Sequence, residues 1–260
     1  MYLTRIFLNP YRRGCKRLVS SPQKMHAAVL ASFPPGVLDG ARGPGRVLWR
    51  LDTPSFPPQS TREGSRGPFR ESPALSLYIS SPVPPDPAGL IEQAGYETEG
   101  GVLIKRMDPF LDSLREGQTW AFRVTVNPTF RKAGQVAENG RKKVLAHITV
   151  AQQTRWLLDR VPSLGFEILT AAEIGGDLPV METETGERRD GDALLISLAN
   201  RRTERFRRGV GEDARIVTLQ LATFEGHLRI VNPVLLRNSM TNGIGRAKGY
   251  GSGLLTLAKP

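Results

Sequence analysis

Short runs of β-forming residues alternate with amphipathic stretches along the chain, and this order constrains the fold more than any other sequence feature. At residues 120–126, apolar side chains occupy every second position, a pattern typical of a half-buried strand. Ser21 and Pro22 can begin a helix that carries Met25 and Val29 on one side. The first half is therefore predicted to have the order β-α-β-β-α-β, with strands at 2–9, 47–51, 74–80 and 120–126 and helices at 22–33 and 86–94.

The second half repeats this order. Thr149 can cap one helix, and Asn232 with Pro233 can begin another. A turn is predicted at Glu225 and Gly226. Strands are predicted at 143–148, 166–171, 193–199, 216–224, 228–231 and 254–257, and helices at 149–161 and 233–240.

Two β-α-β-β-α-β units in tandem predict an α+β protein with two ferredoxin-like domains. We expect an N-terminal domain at residues 1–128, a linker at 129–140 and a C-terminal domain at 141–260. Residues 53–72 are rich in Pro, Ser, Gly and Arg, and this composition predicts a mobile insertion in the first domain.

Five glycines and three cations lie between residue 243 and the C-terminus. Glycine permits positive φ, and amides freed in this way beside a cation can form a concave donor set for phosphate. The spacing is not that of a P-loop or a dinucleotide-binding fingerprint, because only a short apolar strand follows. A surface turn before that strand is the alternative. The candidate phosphate-binding residues are Gly243, Gly245, Arg246, Lys248, Gly249 and Gly251.

The charge of the chain favours nucleic acid as the partner. Lys and Arg number 36 against 25 Asp and Glu, which gives a net charge of +11, and 28 of the cations are arginine. Arginine binds phosphate and guanine edges through paired hydrogen bonds. A high-GC genome also enriches arginine, but here the cations are clustered, as in an electrostatic binding track. The candidate nucleic-acid-binding cations are Arg12, Arg13 and Lys16 near the N-terminus, and Arg201, Arg202, Arg205, Arg207 and Arg208 on or near a hairpin.

His26 is the candidate catalytic residue. It falls within the apolar arc of the helix predicted at 22–33, so a half-buried packing role is one interpretation. It also lies near the start of that helix, where the helix dipole attracts phosphate. A histidine, abundant arginine and a phosphate-binding loop suit RNA cleavage without a metal, because the ribose 2′-hydroxyl is an internal nucleophile.

Other classes of site and location are disfavoured. His26, His147 and His227 lack metal-ligand spacing and Cys15 is the single cysteine, so we expect neither a metal site nor a cofactor. One cysteine also fits a reducing cytosol. No run approaches the ~18 apolar residues of a membrane span, and no signal-peptide core is present. We expect a cytoplasmic protein without membrane contact.

Motifs in order along nearly the whole chain resemble the CasE family, the CRISPR repeat-RNA endoribonucleases of type I-E Cascade complexes. The insertion at 53–72 is outside this resemblance. The matching segments are Tyr2-Leu3-Thr4-Arg5 with Asn9-Pro10, Met25-His26, Leu48-Trp49-Arg50-Leu51, Phe122-Arg123-Val124-Thr125-Val126-Asn127-Pro128, Thr223-Phe224-Glu225-Gly226 and the final Gly-Ile-Gly-x-Ala-Lys-x-x-Gly-x-Gly-Leu-Leu.

The resemblance implies binding of a CRISPR repeat RNA stem-loop, cleavage at the 3′ base of the stem, and retention of the product alongside other Cascade subunits. It implies that His26 is catalytic, that the arginines at 201–208 contact the stem, and that Lys248 belongs to the family's glycine-rich loop. Relatives commonly have a tyrosine three residues before the histidine, where this chain has Gln23. Positioning of the scissile phosphate then passes to Gln23 or to Lys24, or is lost.

Two functions remain open. The first is the processing endoribonuclease, which is predicted to act without divalent ions and to leave a 2′,3′-cyclic phosphate. The second is a catalytically silent RNA-binding subunit of Cascade, and Gln23 is the feature that favours it.

Overall fold

The structure is a computed structural model that describes residues 1–38, 45–53, 75–136, 142–174, 193–209 and 214–260. The predicted insertion at 53–72 lies outside these residues, except for Thr53. Within the described ranges, none of the helices has the length and apolar content needed to cross a bilayer.

The N-terminal half forms a four-stranded antiparallel sheet. Its strand order is 2-3-1-4, the arrangement of a β-α-β-β-α-β unit. Ile6 and Leu8 on the first strand alternate inward, and they form a core with Met25 and Val29 from the helical layer. The elements are β1 Tyr2–Leu8, α1 Arg13–Val19, α2 Pro22–Ala31, β2 Leu48–Asp52, β3 Leu75–Ser81, α3 Ala88–Ala94, β4 Val102–Arg106 and α4 Asp108–Ser113.

The C-terminal half contains a second sheet with the same internal order. Its elements are β5 Thr119–Val126, β6 Thr129–Val136, β7 Lys142–Ala146, α5 Val150–Leu158, α6 Val161–Leu164, β8 Phe166–Ile168, α7 Ala171–Ile174, β9 Ile196–Arg208, β10 Arg215–Ile230, α8 Pro233–Asn242 and β11 Leu255–Ala258. The sheet order is β11-β5-β10-β8, with β9 paired to β10. When β5, β8, β10 and β11 are numbered one to four, the strand order of this sheet is 4-1-3-2. Read from the opposite edge, this is 2-3-1-4, the strand order of the first sheet. The predicted fold, two tandem ferredoxin-like domains, is confirmed.

The strand that closes the first sheet differs from the prediction. Residues 120–126 were expected to close the domain at 1–128, but β5 pairs with β10 and β11 in the second sheet, and β4 closes the first. Since β4 is an edge strand with most of its side chains exposed, it has no alternating pattern to reveal it. The two sheets therefore separate before Thr119 rather than at residue 128.

The predicted linker at 129–140 also differs from the structure, whereas the strand predicted at 143–148 is present as β7. A strand, β6, occupies most of the linker and pairs with β7 in a separate two-stranded sheet. The β-forming residues Thr129 and Phe130 lie opposite Ala146 and Leu145. These two strands are thus an insertion between β5 and α5, and β5 is the first strand of the second ferredoxin-like unit.

The predicted turn at Glu225 and Gly226 is wrong, because β10 runs without interruption through both residues. A Cβ on Gly226 would lie 2.2 Å from the carbonyl oxygen of Leu195, so glycine serves close backbone packing here rather than a turn. The strand expected at 193–199 begins at Ile196 and continues through the arginines to Arg208, as β9.

The chain forms two compact units that are not divided at a single point of the sequence. The first contains Met1–Pro109, Arg205–Val217 and Lys248–Gly251, and the second contains Phe110–Glu204, Thr218–Ala247 and Ser252–Pro260. The distal part of the β9–β10 hairpin and part of the glycine segment therefore belong to the N-terminal unit, although they lie far from it in sequence.

Candidate active site and nucleic-acid interface

His26 lies on α2, one turn after the helix begins. Pro22 occupies the first turn of α2. Backbone N–H groups in the first turn have no intrahelical acceptor, so the N–H that proline lacks costs no hydrogen bond there. Met25 and Val29 are buried against the sheet, and His26 beside them is half-buried. Leu30 is apolar and adjoins this arc in the helical pattern of the sequence, but it is exposed. The arc is thus narrower than the sequence pattern indicated, and His26 lies at its edge.

The C-terminal glycine segment contacts His26 within the N-terminal unit. Lys248–Tyr250 form a single 3-10 turn. A Cβ on Gly249 would lie 3.2 Å from Nε2 of His26, so the backbone of this turn packs directly on the imidazole. The ring of Tyr250 meets His26 edge-on with 6.0 Å between centroids, and the ring of Phe206 lies 4.8 Å from Tyr250. Tyr250 therefore contacts both α2, through His26, and β9, through Phe206, although the three segments are distant in sequence.

Trp49 holds this turn in place. Its indole Nε1 donates a 3.2 Å hydrogen bond to the carbonyl oxygen of Gly249. Gly251 has φ +78°, and a Cβ there would lie 2.7 Å from the Trp49 ring, so this position requires glycine for both reasons. Gly249 and Gly251 are thus explained by contacts with His26 and Trp49.

Two cations affect the charge of the site. Burial lowers the pKa of His26 below its usual value, and the positive charge of Arg46 lowers it further. The same two causes, in the same order, lower the pKa of Lys248. Among the described residues, His26 Nδ1 is buried without a hydrogen-bond partner. The arrangement places a histidine that is largely neutral at neutral pH beside positive charge from Arg46 and Lys248.

The two predicted helpers of His26 lie on different sides of α2. Gln23, three residues before His26, shares its face of the helix. Within the described chain, Gln23 Oε1 is buried and lacks a partner. Lys24 is exposed, and two residues of helix place it about 200° around the axis from His26. The structure therefore brings Gln23, but not Lys24, to the side of α2 that carries His26.

The arginines of β9 divide between the two faces of the strand. Arg201, Arg205 and Arg207 alternate with inward residues and are exposed on one face. Arg202 lies on the other face, where its guanidinium pairs with Glu204 at 2.9 Å. Arg201 also donates to the carbonyl oxygen of Ile148. Arg208 is exposed near the end of the strand.

The three cations predicted near the N-terminus differ in their exposure to solvent. The guanidinium of Arg12 donates to the carbonyl oxygens of Ile91 and Gly95 at 2.8 and 3.1 Å, and it pairs with Glu97 at 2.8 Å. These contacts cap the C-terminal end of α3, so Arg12 has a structural role and would have to leave it to bind RNA. Arg13 and Lys16 are exposed on α1.

The first part of the glycine segment belongs to the C-terminal unit and is largely satisfied by internal contacts. The N–H of Gly243 donates to Ser239 at the end of α8, and the N–H of Ile244 donates to Gly253. A Cβ on Gly245 would lie 3.0 Å from the indole of Trp156. Arg246 is exposed. The N–H of Gly243, which was predicted to bind phosphate, is therefore already hydrogen-bonded within the protein.

Arg46, Trp49, Phe206 and Tyr250 are site residues that the sequence did not single out. Trp49 and Tyr250 stood within matching motifs, but nothing local connected either of them to His26. In the described ranges, no group of three or more His, Cys, Asp or Glu side chains is arranged to hold a metal ion.

Comparisons with known proteins agree over the full length. A model of the family described as "CRISPR associated protein" matches residues 1–259. The chain is 28% identical to the CRISPR-associated endoribonuclease Cse3 of Thermus thermophilus over 259 residues, which cover 99% of this chain and 100% of that protein.

Solved structures give the same result. Cse3 bound to a 19-nucleotide RNA has a TM-score of 0.68 and 26% identity, covering 99% of this chain and 100% of that one. Thermus thermophilus Cse3 bound to an RNA representing a pre-cleavage complex has a TM-score of 0.66 and 26% identity, covering 99% and 98%. The resemblance inferred from the motifs is confirmed, and the chain belongs to the CasE family of CRISPR-associated proteins.

Proposed function

We propose that this protein is an endoribonuclease that binds the stem-loop of CRISPR repeat RNA and cleaves the precursor at the 3′ base of the stem. The product stays bound, and the protein then serves as a subunit of Cascade in the cytoplasm. The observation that carries the proposal is the contact of His26 with the turn Lys248–Tyr250, which combines a proton-transfer group with phosphate-binding elements. The similarity to an endoribonuclease solved with RNA supports it.

In this mechanism the ribose 2′-oxygen attacks the adjacent phosphorus while the bond from phosphorus to the 5′-oxygen breaks. His26 accepts the 2′-hydroxyl proton, because its lowered pKa leaves the imidazole neutral and able to act as a base near pH 7. The 5′-oxygen leaves and gains a proton from solvent. The products are a 2′,3′-cyclic phosphate and a 5′-hydroxyl, and no step requires a metal ion.

Positive charge beside His26 stabilises the transition state. The phosphorane formed by attack carries additional negative charge, and preorganised cations stabilise such charge more than they stabilise the substrate. Lys248 directly precedes Gly249, and Arg46 lies close enough to lower the pKa values of both Lys248 and His26. We assign these two cations to the scissile phosphate, with the Gln23 amide as a further donor.

The stem of the RNA binds along the exposed face of β9. Arg205 and Arg207 present cations two residues apart on one face, and Arg201 extends the same row. Arg13, Lys16 and Arg208 supply further exposed cations. Phosphate contacts of this kind fix the orientation of the RNA without reading its sequence.

The silent-subunit alternative depends on Gln23 in place of the tyrosine that relatives commonly have. Incubation of the purified protein with repeat hairpin RNA in EDTA decides between the two functions. The nuclease is expected to cut once at the 3′ base of the stem, and a 2′-deoxy substitution at that position should abolish the cut. Tight binding without cleavage supports the silent subunit, and cleavage that appears only with magnesium contradicts the proposed mechanism.

A further inference from the structure

The C-terminal unit contains a groove of about 900 Å³ between the β6–β7 sheet and α5. We call it the β6–α5 groove. None of the residues proposed above for proton transfer contributes to it. The lining side chains that matter for its chemistry are Phe130, Arg131, His147, Trp156, Arg160 and Arg246.

Aromatic rings line this groove. The rings of Phe130 and His147 lie 4.7 Å apart between centroids, with 37° between their planes. Phe130 is 38% exposed, an uncommon state for a phenylalanine in a paired strand. Burial and the charge of Arg160 lower the pKa of His147, so its ring stays neutral and able to stack. Phe130 and His147 together form an accessible aromatic platform.

The groove is also strongly basic. Among the described residues, Arg131, Arg155, Arg160 and Arg246 line it, against a single acidic side chain, Asp159. Asp159 is paired with Arg155 at 2.7 Å, so its charge is offset within the groove. The guanidinium of Arg160 lies 4.0 Å over the indole of Trp156, which fixes that cation at the groove wall.

Aromatic platforms combined with arginines are how proteins bind single-stranded nucleic acid, since every base has a face that can stack. Paired bases of an A-form stem have no free face, so an aromatic platform selects unpaired nucleotides. A volume of about 900 Å³ is near the upper end of the range for small-molecule sites, which leaves room for more than one nucleotide.

We infer that the β6–α5 groove binds an unpaired segment of the RNA, with a base stacked on Phe130 and His147 and its phosphates on the surrounding arginines. The inference rests on the proposed function for the identity of the RNA. It adds a second contact to that function, specific for unpaired nucleotides and separate from the stem contacts on β9.

Phe130→Ala tests the inference, with fluorescence anisotropy of labelled RNA as the readout. Three kinds of RNA are compared: a blunt repeat hairpin, the same hairpin with single-stranded extensions at the 5′ end, the 3′ end or both, and a short single-stranded RNA. The hairpins carry a 2′-deoxy substitution at the cleavage position, so that they are bound but not cut. Stacking of one base is worth ~1–3 kcal/mol, so Phe130→Ala should weaken binding of an extended hairpin at least about fivefold. Its affinity for the blunt hairpin should be unchanged.

Two further variants separate stacking from structural damage. Phe130→Tyr keeps an aromatic ring and should bind the extended hairpin within about twofold of the wild type. Leu103→Ala removes an exposed apolar side chain from β4 and should change none of the affinities.

The inference is overturned if Phe130→Ala binds the extended hairpins like the wild type, or loses equal affinity for blunt and extended hairpins. If the wild type binds no hairpin, the proposed function fails, and the inference about the groove is then tested with the single-stranded RNA only. Loss of single-stranded RNA binding in Phe130→Ala but not in Phe130→Tyr supports the inference, and equal binding by all variants contradicts it.

Discussion

The α-carbon of Gly249 packs against the imidazole of His26, so that a methyl group on it would lie 3.2 Å from Nε2. Gly249 is not among the described glycines with positive φ, so alanine is compatible with its backbone. The glycine is therefore needed for space beside the histidine.

Gly249→Ala should displace the His26 ring by a few tenths of an ångström. Misplacement of reacting groups by ~1 Å costs about a hundredfold in rate, so we expect single-turnover cleavage to slow about threefold to tenfold. Affinity for the repeat hairpin should change less than twofold. Gly89→Ala is the matched control, because a Cβ there meets nothing within 4 Å and its φ is not positive. Equal rates for the two variants would show that the close contact has no catalytic role.

Trp49→Phe should loosen the turn Lys248–Tyr250, because phenylalanine lacks both the indole N–H and the distal ring atoms that approach Gly251. It removes the hydrogen bond to Gly249, a loss of about 0.5–1.5 kcal/mol. We expect faster amide hydrogen exchange at residues 249–251 and slower cleavage. Trp120→Phe is the control, because in the described chain Nε1 of Trp120 has no partner to lose. Unchanged exchange at the turn in Trp49→Phe would contradict this role.

The pH dependence of cleavage should follow the lowered pKa of His26. A base must be neutral, so kcat/KM should rise with pH, with a midpoint below 6.5, and level off by neutral pH. Arg46→Gln removes the smaller cause of the shift, so the midpoint should move upward but stay below 6.5, because burial remains. A rate that falls with rising pH over this range would mean that His26 acts in its protonated form.

Neutralising the exposed arginines of β9 should weaken hairpin binding and its salt dependence. Arg205→Gln and Arg207→Gln should each remove one ionic interaction with a phosphate, which reduces the slope of log affinity against log salt by about one. Arg202→Gln should have a smaller effect, because Arg202 is already paired with Glu204. If all three variants keep the wild-type slope, the RNA stem lies elsewhere.

Elements specified by local chemistry were predictable from the sequence. Thr149 and Gln152 form the capping box that begins α5, and Asn232 accepts hydrogen bonds from Val234 and Leu235 at the start of α8. The order of such elements was sufficient to predict two ferredoxin-like units. Strand β4 was not predicted because its exposed side chains form no periodic pattern, and β5 was therefore assigned to the wrong sheet.

The site was only partly predictable, because its contacts join distant parts of the chain. His26 was identified from its helix and from the family motif. The hydrogen bond from Trp49 to Gly249 spans 200 positions, and the contact of Phe206 with Tyr250 joins a hairpin to the glycine segment. The number of arginines in the sequence could not show that the guanidinium of Arg12 caps α3 or that Arg202 pairs with Glu204.

Single-turnover cleavage of repeat hairpin RNA by His26→Ala, with hairpin affinity measured in parallel, tests the central claim most directly. General acid–base catalysis is worth ~10²–10⁴ in rate, so we predict a loss of at least about a hundredfold in cleavage with affinity within a few-fold of the wild type. Near-normal cleavage, or equal losses of rate and affinity, would contradict the account and leave His26 as a packing residue.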